Sequence, residues 1–319
     1  MINTQTAQPR AVNQSNLSRI RKEVDGQPEA LEQFSRMTMP KASEGSIFVG
    51  AGDSFAAALS GFYASKGACA GFDPYTVATA PEVTKGREVF FISVSGRTSS
   101  NLLAARRVRR LAKRTTSLTA VPDSKLAALT DRTVALPMTY VPKTPGMLSF
   151  SLSLLAVLRI AQMDGACDFE RAFASARSDR RRFSFGEDTT YFLGNSLAFP
   201  VAHYAAAKAY EFLGIKAHAE LLEEFSHLEL FSLEKSDSVN LFGCFDPSRM
   251  SSKLAKALGA HGYNSRQMPT RGLSDPERVF HSVFASQLAV LDRAEAAGLT
   301  EPMFLSARDR MDVSDAMIY

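Results

Sequence analysis

A short apolar run at residues 46–49 ends in Gly50–Ala51–Gly52–Asp53–Ser54 and passes into an alanine-rich segment with helical spacing. The same order returns at residues 88–92, where the run Glu88–Val89–Phe90–Phe91–Ile92 meets the polar turn 93–101 and then a helical segment over 102–113. It returns once more at Tyr191–Phe192–Leu193–Gly194–Asn195–Ser196, with Gly194 standing 144 positions after Gly50. Runs that are apolar without alternation need cover on both faces, which a parallel sheet between helices supplies. The expected fold is therefore α/β, with two tandem domains on one plan, each a doubly wound parallel sheet flanked by helices. A single larger sheet is the alternative. The chain has 319 residues, a length that suits two domains. The expected division is residues 1–40 as an N-terminal arm and helices, 41–184 as the first domain, and 185–319 as the second domain with a C-terminal tail.

Smaller pieces fill in this plan. Residues 1–16 read as a disordered arm, and 17–39 as helix broken near Gly26 and Pro28. Strands are expected at 117–121 and 133–138 with a helix from Ser124 between them, then a long apolar helix over 147–163 and a charged linking helix over 169–183. In the second half the pattern predicts helices over 201–213, 248–259 and 276–297 and a strand over 239–245.

Composition narrows the function classes. Lysine plus arginine number 37 against 33 acidic residues, a net +4 that is too small to indicate nucleic acid or a membrane surface as partner. The run Arg106–Arg107–Val108–Arg109–Arg110–Leu111–Ala112–Lys113–Arg114 has no interleaved aromatics and reads as the solvated face of an amphipathic helix rather than an RNA contact. No run of 18 apolar residues occurs, and the start lacks a secretory layout, so a cytoplasmic protein is expected. Three cysteines lie far apart, which fits a reducing compartment and argues against a disulfide framework or a zinc site. No metal and no organic cofactor are expected.

Three constellations carry possible chemistry. Ser93, Ser95 and Thr98 put three hydroxyls where a buried strand ends and a helix begins, around Gly96, with Ser54 at the end of the neighbouring run. Hydroxyls beside free helix N–H groups and the positive helix end can cradle a phosphate, and Gly96 lets the backbone come close. The same residues can simply cap the helix, and spacing leaves both readings open. Lys208 and Glu211 share one helix face at i, i+3, where a carboxylate can act as base and an ammonium can steady an oxyanion. Taken alone, such a pair is more often a surface ion pair worth a few tenths of a kcal/mol. His227 is a candidate proton shuttle, although a lone histidine is more often structural, and its spacing from His218 does not suit a metal.

Together these residues resemble a known family. Gly52–Asp53–Ser54–Phe55 and Ser93–Val94–Ser95–Gly96–Arg97–Thr98 are similar to the paired phosphosugar-binding signatures of the sugar isomerase (SIS) family. Lys208, Glu211, Glu224 and His227, with Phe192–Leu193–Gly194 and Pro200–Val201–Ala202 ahead of them, resemble the isomerase half of glucosamine-6-phosphate synthase. The resemblance spans residues 18–306. It implies a fructose-6-phosphate-like ligand whose phosphate sits on Ser93, Ser95 and Thr98 near Ser54. It implies Glu211 as the base moving a proton between C1 and C2, Lys208 beside the enediolate or amine, and His227 assisting ring opening from the neighbouring subunit of a homodimer. Two departures stand out. The 40 residues ahead of the first domain resemble no glutaminase domain, so amination or deamination at C2 is expected to use free ammonia. The family's C-terminal lysine falls on Ala307, leaving Arg308 as a substitute that cannot form a Schiff base. The expected function is aldose–ketose isomerisation, or amination or deamination, of a sugar phosphate. The alternatives are a phosphoglucose/phosphomannose isomerase and a non-catalytic sugar-phosphate-binding regulator.

Overall fold

A computed structural model describes residues 16–163, 165–269 and 272–319. Residues 1–15 of the expected arm lie outside the described residues, and Asn16 opens the first helix. Helices α1 (Asn16–Asp25) and α2 (Gln27–Ser35) are separated at Gly26, with Pro28 in the first turn of α2 where its missing N–H costs nothing. The first sheet follows as β1 (Ile47–Gly50), α3 (Asp53–Ala64), β2 (Ala70–Phe72), α4 (Pro74–Thr79), β3 (Glu88–Ile92), α5 (Ser99–Val108), β4 (Arg114–Thr119) and β5 (Arg132–Ala135). Helices α6 (Leu148–Ile160) and α7 (Phe169–Asp179) lead to the second sheet. It comprises β6 (Thr189–Gly194), α8 (Ala198–Leu213), β7 (Lys216–Glu220), α9 (Leu222–His227), β8 (Ser238–Phe242), α10 (Met250–Ala260) and β9 (Asn264–Met268). The 22-residue α11 (Asp275–Ala296) starts on a full capping box from Ser274 and Glu277, and α12 (Met303–Ser306) and α13 (Arg308–Ile318) end the chain.

Both sheets are parallel throughout, in the orders β2-β1-β3-β4-β5 and β7-β6-β8-β9. In each, the order reverses at the first strand of the half, the signature of double winding. The period-2 alternation of strands sorts their side chains onto two faces. Phe48 and Phe90 are register partners with stacked rings 5.3 Å apart, and they face a core shared with Phe192 and Phe242 of the second sheet. Ile47, Val49, Val89 and Phe91 face the other way, onto Val77 of α4 and Leu102 and Val108 of α5. Tyr191, Leu193, Val239 and Leu241 do the same in the second half, against Phe225 and Leu258. One continuous apolar layer, filled by α3, α6, α8 and α11, thus joins the two sheets.

Several expected elements shift. The segment from Ser124 makes only a single 3-10 turn at Ala127–Leu129 in the connection from β4 to β5. The helix expected at 102–113 begins earlier, at Ser99, and ends at Val108. The edge strands β2, β7 and β9 had no counterpart in the pattern. Their sequences, AGF, KAHAE and NSRQM, are short or half-polar as sheet edges usually are. No helix among the described residues is long and apolar enough to cross a membrane.

Candidate active site

A cavity of about 710 Å³ opens at the carboxyl ends of β1 and β3, where an open parallel sheet places its ligands. Ser54, Ser93, Ser95 and Thr98 line it from the first half and Glu211 from the second. The hydroxyl loop is shaped by its glycines. Gly96 adopts φ +59°, and a Cβ there would overlap the Ser124 hydroxyl; Gly52 adopts φ +58° at the start of α3. Ser93 and Ser95 are buried, with the Ser93 Oγ 3.4 Å from the Thr98 Oγ1 and the Arg97 N–H donating to the Ser95 Oγ at 3.3 Å. Thr98 is the N-cap residue of α5, yet its side chain makes no cap hydrogen bond. The capping reading of this threonine therefore fails, and its hydroxyl stands in the cavity wall beside the helix N-terminus. The Asn101 Oδ1, buried in the same wall, has no partner among the described residues. Gly96→Ala is expected to destabilise the fold by about 1–2 kcal/mol from the left-handed backbone alone. It is also expected to weaken sugar-phosphate binding at least about tenfold, as calorimetry and urea unfolding would show.

Across the cavity, Lys208 and Glu211 sit one turn apart on α8. Lys208 is fully buried, which removes the surface ion-pair reading. Its Nζ donates to the Glu211 Oε2 at 2.5 Å and to the Asp53 Oδ2 at 2.8 Å, so one ammonium from the second half joins two carboxylates, one from each half. The Tyr204 ring lies 5.1 Å below the ammonium and stacks on Phe150 at 3.7 Å. Its hydroxyl donates to the Gly146 carbonyl at 2.8 Å and accepts from the Gln287 amide at 3.0 Å. Burial raises the Glu211 carboxyl to about 7; Lys208 draws it down and the like charge of Asp53 pushes it up. Burial also depresses the Lys208 ammonium, but the two carboxylates more than offset this and hold it above its ordinary value.

Asp53 is the site residue that sequence reasoning did not single out. An acidic residue in the first turn of a helix reads as dipole stabilisation, and its partner lies 155 positions away. The sequence signals were its place directly after the Gly50–Ala51–Gly52 turn and within the Gly52–Asp53–Ser54–Phe55 signature, neither of which gave it a role.

The remaining candidates fall outside the cavity wall. Lys208 does not line it, since its ammonium is covered by Asp53 and Glu211. The His227 side chain at the end of α9 is 72% exposed and points no closer than 4.0 Å to Glu223, away from the cavity of its own chain. Arg308 is exposed and not in the wall, whereas Ala307 and Arg310 are. Helix α13 lies over the cavity mouth, tied by Lys143 to Asp315 at 3.1 Å and by the Ser99 hydroxyl donating to the Tyr319 main-chain oxygen at 3.0 Å. Of the basic run, Arg106 and Arg107 lie on α5 and Arg109 and Arg110 just beyond its end, all four exposed, with Val108 buried.

The second sheet has a corresponding turn after β8, but it is filled from within. The Asp246 carboxylate accepts from the Met250 and Ser251 N–H groups and from the Ser248 and Ser251 hydroxyls, at 2.7–3.1 Å. The start of α10 thus already holds an anion of the chain's own, and the corresponding start of α5 faces the cavity.

Comparison with known proteins adds to this geometry. Residues 42–162 match the family model of the SIS domain. No curated protein matches the sequence. Among solved structures, a glucosamine-6-phosphate deaminase from Thermotoga maritima is similar with TM-score 0.68 at 22% identity, over 88% of this chain and 95% of that one. The C-terminal domain of a glucosamine-fructose-6-phosphate aminotransferase from Francisella tularensis is similar with TM-score 0.68 at 17% identity, over 92% and 98%. A tagatose-6-phosphate ketose/aldose isomerase from Escherichia coli is similar with TM-score 0.61 at 15% identity, over 90% of each chain. At these identities the likeness is one of fold, and it extends across both halves.

Proposed function

From the match of residues 42–162 to the SIS domain and the likeness of fold across both halves, we propose that the chain binds an open-chain hexose 6-phosphate and moves a proton between C1 and C2. The outcome is aldose–ketose isomerisation, or amination or deamination at C2 with free ammonia. The observation that carries this reading is that one cavity is lined by both the hydroxyl loop and Glu211.

Ser54, Ser93, Ser95 and Thr98 donate to the phosphate oxygens, helped by the positive end of α5. Anchored there, the sugar extends toward α8. The Glu211 carboxylate takes the proton from the carbon next to the carbonyl, leaving an enediolate, and returns it to the neighbouring carbon, while the hydroxyl proton passes between O1 and O2 of the sugar. A base whose proton affinity lies near 7 suits both halves of that exchange at neutral pH. His227 lies outside the cavity of its own chain; in this reading it serves the ring-opening step in the cavity of a second copy, within a homodimer.

A second reading has one observation in its favour. Ala307 stands in the cavity wall where the resemblance places a lysine, which suits a regulator that binds a sugar phosphate without reacting. Incubation with fructose 6-phosphate in deuterated water, with and without ammonium, separates the two by NMR. Deuterium entering C1 or C2 with an aldose 6-phosphate product supports isomerisation, and ammonium-dependent glucosamine 6-phosphate supports amination. Binding without exchange rejects the enzyme. The exchange rate is expected to rise with pH along an acid limb centred near pH 7, where Glu211 ionises; a rate without an acid limb would remove a carboxylate base from the role.

A further inference from the structure

Two carboxylates and one ammonium meet where the halves join, and they are not equivalent. Asp53 and Glu211 both line the cavity, whereas Lys208 lies behind them with no exposed surface. Lys208 is therefore screened from any ligand by the groups it binds. Asp53 is fitted to this arrangement on its other side. A Cβ at position 146 would overlap the Asp53 Oδ2, so Gly146 is what leaves room for the carboxylate to reach the ammonium. The same Gly146 carbonyl accepts from Tyr204, whose ring underlies the Lys208 ammonium. The second Asp53 oxygen, Oδ1, is buried and has no hydrogen-bond partner among the described residues. A carboxylate offering one oxygen to an ammonium and burying the other is poorly placed to exchange a proton with a ligand.

We propose that Asp53 is a positioning residue: it holds Lys208 behind Glu211, making the ammonium the shared counter-ion of two carboxylates rather than a contact of the substrate. Glu211 is then the carboxylate left to exchange a proton with the sugar. This rests on Glu211 being the base of the proposed function, but the charge arrangement itself does not.

The charge count gives the consequence. With both carboxylates ionised the triad carries a net negative charge in a largely buried place, so it retains a proton more readily than a simple Lys208–Glu211 pair would. The other titratable groups acting on it are His203 and Tyr204 on α8, while Glu23 on α1 and Arg310 on α13 line the same cavity. Removing the Asp53 charge leaves Lys208 to Glu211 alone, and Glu211 becomes a weaker base. A purely structural aspartate would lower stability and leave that proton affinity where it was.

The test reads Glu211 directly in the full chain without ligand. With glutamate labelled at the side-chain carboxyl carbon, the Glu211 signal is identified by its loss in Glu211→Gln and followed against pH. In the parent the midpoint is expected near 7, and in Asp53→Asn it is expected at least one pH unit lower. Gly146→Ala, which crowds Asp53 away from Lys208, is expected to shift it the same way and stands in if Asp53→Asn does not fold. An unchanged midpoint in the folded variants overturns the proposal, as does a parent midpoint in the ordinary carboxylate range. No turnover is needed, so the outcomes separate. Exchange on fructose 6-phosphate with an unmoved midpoint keeps the function and rejects the role of Asp53. A moved midpoint without exchange does the reverse.

Discussion

Glu211→Gln is expected to lower C1/C2 proton exchange by about 10²–10⁴-fold, the usual contribution of a positioned general base. The affinity for the sugar phosphate should stay within about threefold, because the hydroxyl loop on the far wall is untouched. Glutamine preserves the shape and can still accept from the Lys208 ammonium, so the loss reports on the proton and not on the fold. Deuterium wash-in and calorimetry on the same preparations give the two numbers; equal exchange in variant and parent would reject Glu211 as the base. The substitution should also remove a pH dependence of stability whose sign is fixed. In the folded protein Glu211 holds its proton up to about pH 7, whereas unfolded it releases it near 4.5. Between those values the native state binds more protons, so this group's contribution to stability is greatest below pH 4.5 and falls as pH rises toward 7. Urea unfolding across that window should show a shallower decline in the variant.

Lys208→Met is expected to be the most destabilising single change at the site. Removing one member of a buried ion pair leaves uncompensated charge and costs about 3–5 kcal/mol. Here it leaves two carboxylates facing each other across the space of the ammonium. They can relieve that repulsion only by taking up a proton, so the loss should be largest at pH 8 and markedly smaller at pH 5.5. The sign follows as before: the variant's native carboxylates hold protons that the unfolded chain has released, and stability falls with rising pH. Denaturant midpoints at the two pH values check this. A loss of equal size at both would mean that packing of the methylene stem, not charge, sets the effect.

What could be read from the chain followed the physics of each element. The buried central strands β1, β3 and β6 announce themselves by apolar runs, because both faces are covered, whereas β8 is just as buried but is interrupted by Asn240. The edge strands β7 and β9 mix lysine, glutamate, asparagine and arginine with small residues, since one side of each meets water, and no periodicity marks them. At the site, the hydroxyl loop was legible because its function depends on local spacing around Gly96. Lys208 and Glu211 were legible as a pair for the same reason. The contact of Asp53 with Lys208 was not, as it exists only once two distant turns are folded against each other. Nor does local pattern separate Ala307 and Arg310, which face the cavity, from Arg308, which faces solvent.

The apolar layer common to both sheets has a bearing on how anything enters. Prying the halves apart would wet Phe48, Phe90, Phe192 and Phe242 together, unstack Tyr204 from Phe150 and sever the bridge from Asp53 to Lys208. That seam is a weld rather than a hinge. Any way in must leave that seam closed, and α13, which lines the cavity and is tied by Lys143 and Ser99, belongs to the part of the wall outside it.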